Sequence, residues 1–247
     1  MHEQTTMDGF LNRRIVIEQP AEGYRIAVDT VLLAAAVPAR AGETALDLGC
    51  GVGGAMLCLM CRVPGLFITG IEVQTILAEL CKKNIQHNKF DDCMHVMAKD
   101  IAELPDDFVR RFDHVMMNPP YHEKVRHDIS ANPSKRIANT QEKDVLPQWV
   151  GAAARALKPS GTLTLIHRAD RLDELLHEVG KFFDTIEVLP ILPKSGAGAK
   201  RVIICARKGN KNTSRFCKEF ILHKTEGGYT DEAEAVLRHM EPLVFEA

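Results

Sequence analysis

Short apolar runs and amphipathic stretches take turns along most of the chain. Apolar segments at residues 44–49, 66–71, 95–98, 115–117, 162–167, 185–189 and 202–206 have the length and polar bounds of buried strands. Between several of them, apolar residues recur at helical spacing, over 55–61, 74–87, 145–157 and 170–181. In the second of these helices Ile76, Leu77, Leu80, Cys81 and Ile85 share one face. A strand at 13–19 and an apolar helix at 31–37 come before the series, and a strand at 216–223 and a helix at 231–240 come after it. This alternation predicts an α/β fold, doubly wound around a mostly parallel seven-stranded sheet. Residues 1–43 read as a short N-terminal extension packed on the core, and 44–247 as the main domain.

The strand ends carry the candidate chemistry. The strand Thr44-Ala45-Leu46-Asp47-Leu48 runs straight into Gly49-Cys50-Gly51-Val52-Gly53-Gly54 and then a helix. Glycines let a backbone approach a ligand closely, and a helix start offers free N–H groups, so this arrangement suits a nucleotide. The next strand ends on Glu72, where a carboxylate can take the two hydroxyls of a ribose; the third ends at Lys99-Asp100. Gly49, Gly51 and Gly54 fit G-x-G-x-x-G, and Glu72 stands near the spacing of a dinucleotide fingerprint, which by itself also permits an NAD-dependent oxidoreductase.

The fourth strand stops at Asn118-Pro119-Pro120-Tyr121. Consecutive prolines cannot donate to a sheet ladder and hold the preceding residues extended, so a stiff loop begins there. It offers an amide side chain, a carbonyl and an aromatic face. Two acceptors beside a stacking surface suit a planar group bearing NH2, while a plain proline-rich turn is the alternative. A long polar segment follows, with His122, Lys135 and Arg136 as candidate substrate contacts.

Composition changes this picture at one point. The net charge is −2, yet residues 190–218 hold eight basic side chains and no Asp or Glu, leaving about −10 for the remainder. Such asymmetry predicts a polyanionic partner, with Lys208, Lys211 and Arg215 among its contacts. The seven cysteines, including the Cys58–Cys61 pair one helical turn apart, read as reduced core residues, and the ten histidines form no ligand set, so no metal is expected. No apolar run approaches the ~20 residues of a membrane helix, and no signal pattern opens the chain, which reads as cytoplasmic.

Over roughly residues 44–204 the chain resembles the class I, Rossmann-like S-adenosylmethionine-dependent methyltransferases. Leu46-Asp47-Leu48-Gly49-Cys50-Gly51 is similar to their first motif, Glu72 to the ribose-binding acid and Asp100 to the acid beside the cofactor adenine. Asn118-Pro119-Pro120-Tyr121 is similar to the signature of enzymes that methylate an exocyclic or amide nitrogen. The segment from Gly23 to Ala35, GYRIAVDTVLLAA, resembles the helix before the first motif in the bacterial tRNA(Val) adenine-N6 methyltransferases. The resemblance implies S-adenosylmethionine as cofactor, held by Asp47, Gly49, Gly51, Glu72, Asp100, Asn118, Arg25 and Asp29; Asp29 could instead cap its helix. It implies catalysis through Asn118, Pro119 and Tyr121 on an adenine N6 in RNA, with tRNA favoured. The alternatives are a protein glutamine amide, a DNA adenine or, from a different class, the NAD-dependent reaction.

Overall fold

Five residues at the centre, β3 (Thr44–Leu48), set the plan of the molecule. In the computed structural model, which describes residues 4–22, 25–120, 145–209 and 214–246, β3 pairs in parallel with β4 (Phe67–Glu72) on one side and β6 (Phe112–Met117) on the other. Chain order therefore reverses at β3, and a crevice opens at the C-terminal ends of β3 and β6. Outward from β4 lies β5 (Met94–Ala98); outward from β6 come β7 (Leu157–Arg168), β9 (Arg201–Arg207) and β8 (Thr185–Lys194). Only β9 among these runs antiparallel to its neighbours.

The sheet is wider than the seven strands expected. The segment predicted as one strand at 216–223 forms two, β10 (Arg215–Phe216) and β11 (Phe220–His223), both adding in parallel to β8 and making nine. The break falls at Cys217-Lys218-Glu219, where two charged residues interrupt the apolar positions.

Helices cover both faces. On one side α1 (Val28–Ala36), α2 (Gly54–Arg62), α3 (Thr75–His87) and the C-terminal α6 (Asp231–His239) build one core, to which Met116, Ile166 and Ile203 point from the sheet. On the other, α4 (Leu146–Ala156) and α5 (Leu172–Gly180) enclose Val115, Met117, Leu163, Leu165 and Ile204. Alternate strand residues thus feed opposite cores, as the two-residue period requires. No helix among the described residues is long and apolar enough to cross a membrane.

The N-terminal segment folds as a hairpin, β1 (Thr5–Phe10) and β2 (Ile15–Pro20), followed by α1. Two asparagines one turn apart, Asn84 in α3 and Asn88 at its C-cap, take the place of a neighbouring strand. Asn84 accepts from Glu18 N at 2.7 Å and donates to Glu18 O at 2.8 Å; Asn88 does the same at Val16, at 3.0 and 2.8 Å. These four bonds satisfy an edge that would otherwise be unpaired.

Candidate active site

The glycine bend after β3 is fastened from below. Gly49 and Cys50 both donate to the Ile71 carbonyl, at 2.8 and 3.0 Å, and Gly51 N donates to Glu72 Oε2 at 2.9 Å. The other oxygen of Glu72 accepts from Gln74 N at 2.9 Å, so one buried carboxylate ties the bend to the start of α3. Gly49 has φ +69°, and a Cβ there would stand 2.3 Å from Cη2 of Trp149. Glycine is required both by the left-handed backbone and by the indole lying against it.

A cavity of about 890 Å³ spreads over this bend. Its size sits in the upper part of the range of about 300–1,000 Å³ for small-molecule sites, enough for a nucleoside-sized cofactor with a second planar group beside it. Gly49, Gly51, Glu72, Asp100 and Ile101 form one side; Asn118, Pro119 and Pro120 come from the tip of β6. Gln148 and Trp149 of α4 close it, and Arg168, Asp170, Lys200 and Arg201 make up the rim. Asp100 is exposed and its Oδ1 accepts from Ala102 N at 2.8 Å, starting the single 3-10 turn Ile101–Glu103.

Asp47 is the least comfortable group nearby. It lies in β3 with 3% of its surface exposed, Oδ2 has no hydrogen-bond partner, and it borders a small cavity shared with Gly49, Asn118 and Thr30. Burial, and then the negative charge of Glu72, push its carboxyl well above the ordinary carboxylate range. A buried, unsatisfied acceptor beside a glycine bend matches a ligand carrying an ammonium group. The sign of the cost follows. With its folded value raised, Asp47 favours folding least where it must ionise, above the ordinary carboxylate pKa, and the cost disappears in acid, where both states are protonated. Asp47→Asn should therefore raise the melting temperature at pH 8, lose that gain near pH 4, and weaken cofactor binding; thermal melts and titration calorimetry read both.

Asp47, Gly49, Gly51, Glu72, Asp100, Asn118 and Pro119 are thus gathered at one end of the sheet, though they are spread over some seventy residues of sequence. The other candidates fare differently. Arg25 does not line the cavity: its guanidinium holds Asp8 Oδ2 at 2.8 Å, the Pro20 carbonyl at 2.9 Å and Thr6 Oγ1 at 3.0 Å, and it braces the hairpin. The cofactor role expected of it finds no support in that placement. Asp29 is not a helix cap, since α1 begins at Val28 with Ala27 as its N-cap; its carboxylate accepts from Arg201 Nε at 2.7 Å and so reaches the rim through that arginine. Tyr121, His122, Lys135, Arg136 and Lys211 lie outside the described residues.

Lys208 and Arg215 are placed at the opposite end of the sheet. Arg201 pairs with Arg168 at the C-terminal end of β7, whereas Arg207 pairs with Thr162 and Thr185, where β8 begins. Six residues of strand separate the two, about 20 Å. Lys208 gives its ammonium to the Ala154 carbonyl, and Arg215 holds Glu187 Oε1 at 2.8 and 2.9 Å. Both therefore stand well away from the cavity mouth. Trp149, Arg168 and Asp170 were missed, because a lone tryptophan on an amphipathic helix and charges after a fifth strand match no spacing rule. All seven cysteines are free, and burial raises the Cys58 thiol to about 12.

Strand order β5-β4-β3-β6-β7-β9-β8 with β9 reversed, a glycine bend after the first core strand and acids at the next two tips define a class I methyltransferase. The family model described as methyltransferase small domain matches residues 24–131. A Porphyromonas gingivalis protein named tRNA1(Val) (adenine(37)-N6)-methyltransferase is 28% identical over 235 residues, covering 91% of each chain. Its namesake from another strain is 31% identical over 179 residues, 68% of each. A Shewanella baltica protein of the same name is 26% identical over 87% of this chain and 91% of its own. The chain belongs to the family of the tRNA1(Val) (adenine(37)-N6)-methyltransferases.

Solved structures agree on the fold. Atu636 of Agrobacterium tumefaciens, described as a predicted O-methyltransferase, superposes with a TM-score of 0.73 at 22% identity, over 87% of this chain and 98% of that one. The T. Thermophilus 16S rRNA N2 G1207 methyltransferase in complex with AdoMet and guanosine gives 0.60 at 19% identity, over 83% and 50%.

The closeness of Gly49 and Trp149 leads to a direct test. Trp149 is the sole tryptophan of the chain, so its emission should change as S-adenosylhomocysteine fills the cavity. Gly49→Ala forces both a strained backbone and a displaced indole. It should lower cofactor affinity at least about tenfold, given a strain cost of about 1–3 kcal/mol. A fluorescence titration identical to wild type would show that the bend tolerates a side chain.

Proposed function

We propose that this protein transfers a methyl group from S-adenosylmethionine to the exocyclic N6 of an adenosine in tRNA. The names of its relatives point to adenosine 37 of a valine tRNA, a cytoplasmic substrate. The observation that carries the reading is the single cavity shared by the glycine bend, Glu72, Asp100 and Asn118-Pro119-Pro120.

When bound, S-adenosylmethionine supplies a methyl group on a positively charged sulfur. Glu72 takes the ribose hydroxyls, Asp100 the adenine edge and Asp47 the amino end. Asn118 and Pro119 act on the substrate. The N6 lone pair of adenine is conjugated with the ring and is a poor nucleophile. Accepting its two hydrogens, on Asn118 Oδ1 and the Pro119 carbonyl, favours the pyramidal nitrogen whose lone pair is free to attack. The product ammonium is acidic, so no strong base is needed, and catalysis is positioning plus charge alignment. A base presenting a carbonyl leaves both acceptors unpaired, at about 1–3 kcal/mol each, which selects the amine. A stacked base cannot enter the cavity, so the target is unpaired or flipped out.

The test incubates the protein with methyl-labelled S-adenosylmethionine and separate RNA, DNA and protein fractions, then digests whichever is labelled. N6-methyladenosine from small RNA is the expected product; label in a protein glutamine or in DNA overturns the reading. Melting curves decide the cofactor, since only a ligand of the folded state raises the midpoint: S-adenosylhomocysteine should, and NAD should not.

A further inference from the structure

The basic run is one stretch in sequence, but Lys194, Lys200 and Arg201 lie at one end of the sheet and Arg207, Lys208 and Arg215 at the other. We propose that only its first part, the β8–β9 turn from Lys194 to Lys200, touches the RNA backbone, with Lys200 binding a phosphate next to the adenosine that enters the cavity. This rests on the RNA reading above and adds to it the edge over which the strand runs.

Three observations carry it. The first is position: Lys200 lines the catalytic cavity itself, and Lys194 ends β8 at the same end of the sheet. A base can enter only if its own backbone crosses the mouth, so phosphates must pass this rim. The second is charge balance. Arg168 holds Asp170, Nε to Oδ1 at 3.0 Å, and Arg201 holds Asp29 at 2.7 Å, so both rim arginines face a carboxylate. Lys200 is exposed, and among the described residues its ammonium has no hydrogen-bond or ion-pair partner. Among the described residues Lys194 reaches only the Thr225 carbonyl, at 3.5 Å. At the far end the reverse holds: Lys208 and Arg215 are committed to Ala154 and Glu187.

The third observation is shape. Between the two lysines stand Ser195, Gly196, Ala197, Gly198 and Ala199, none with a side chain larger than a hydroxymethyl group. Among the described residues nothing lies within 4 Å of where a Cβ at Gly198 would stand, which leaves room there for a phosphodiester chain. Unneutralised cations bracketing a low, open turn at the mouth of a base-sized cavity make a backbone clamp. Contacts of this kind fix register without reading sequence.

Binding of an unmodified tRNA transcript, followed across a salt series, tests the assignment. Lys200→Ala should lower the slope of log affinity against log salt by about 0.7–0.9, one phosphate contact, and weaken binding about threefold to fivefold at moderate salt. The loss should appear in KM for tRNA more than in kcat, with the affinity for S-adenosylhomocysteine held. Lys200→Arg should restore the slope, and Lys194→Ala combined with Lys200→Ala should lower it further. Lys83→Ala, an exposed lysine on α3, serves as the charge-matched control. A wild-type slope in the double variant, or a loss found in Arg215→Ala instead, overturns the clamp while tRNA methylation stands. A wild-type protein that binds no RNA and labels only protein removes both the clamp and the RNA reading.

Discussion

Asn118→Ala should reduce single-turnover methylation of tRNA by about a hundredfold to a thousandfold, the usual cost of removing one pre-positioned polar group from a reacting centre. Asn118 closes β6 directly across the bend from Gly49 and borders both the main cavity and the small one beside Asp47. It is partly buried, and Pro119 behind it is buried, so the tip of β6 has little freedom to bring another acceptor in. In the proposed arrangement the methyl donor is held from the other side, by Glu72, Asp100 and the glycine bend. Cofactor affinity should therefore change little while turnover collapses. That separation distinguishes a catalytic contact from a structural one: a misfolded tip would lose both. Asn118→Asp keeps an acceptor but adds a negative charge near Asp47 and Glu72, and should recover only part of the rate. A wild-type rate in the alanine variant removes the amide from the mechanism.

Glu72→Ala is the second large effect, and it acts in the opposite order. Both oxygens of Glu72 already accept backbone amides, from Gly51 and Gln74, at 2.9 Å each. Removing the side chain leaves two amides unpaired beside the cavity, at about 1–3 kcal/mol each if water does not reach them, and takes away the acceptor for the ribose hydroxyls. Cofactor affinity should fall at least about a hundredfold, since charge-assisted hydrogen bonds contribute about 1.5–3 kcal/mol each. The melting temperature should fall with it. Glu72→Gln keeps one carbonyl oxygen but turns a donor toward an amide that itself donates, so an intermediate loss is expected. Calorimetric titration reads the affinity, and a dissociation constant equal to wild type would exclude Glu72 from the site.

On the proposed mechanism these two variants separate two parts of the cavity, one that binds cofactor and one that reacts. The proposed clamp at Lys194–Lys200 adds a third, which recruits substrate. Each half comes from a different stretch of chain brought to the same edge by parallel pairing. Parallel strands all end on one side of a sheet, so whatever follows each strand accumulates there.

This also accounts for what was legible in the sequence. Leu46-Asp47-Leu48-Gly49-Cys50-Gly51, Glu72, Asp100 and Asn118-Pro119-Pro120 were readable because each sits where a strand stops, and strands stop where glycine, proline or a charged residue interrupts an apolar run. Their convergence needed no further information once the strands were taken as parallel. Arg25 stands apart: its segment resembles a known helix entry, while its guanidinium is spent on Asp8 and the Pro20 carbonyl in a hairpin that folds against α3. Trp149 escaped because an indole on an amphipathic helix looks like core, and only its place against Gly49, 2.3 Å from where a Cβ would stand, makes it a wall of the site.

Local pattern in the chain determined the elements, their alternation and the chemistry at each strand tip, since those depend on neighbours one to four residues away. Tertiary structure alone decided which cations share that edge. Because β9 runs against the rest, Arg201 returns to the cavity while Arg207 and Lys208 travel to the other end. Strand direction is set by how distant segments pair, and no stretch of sequence read by itself contains it.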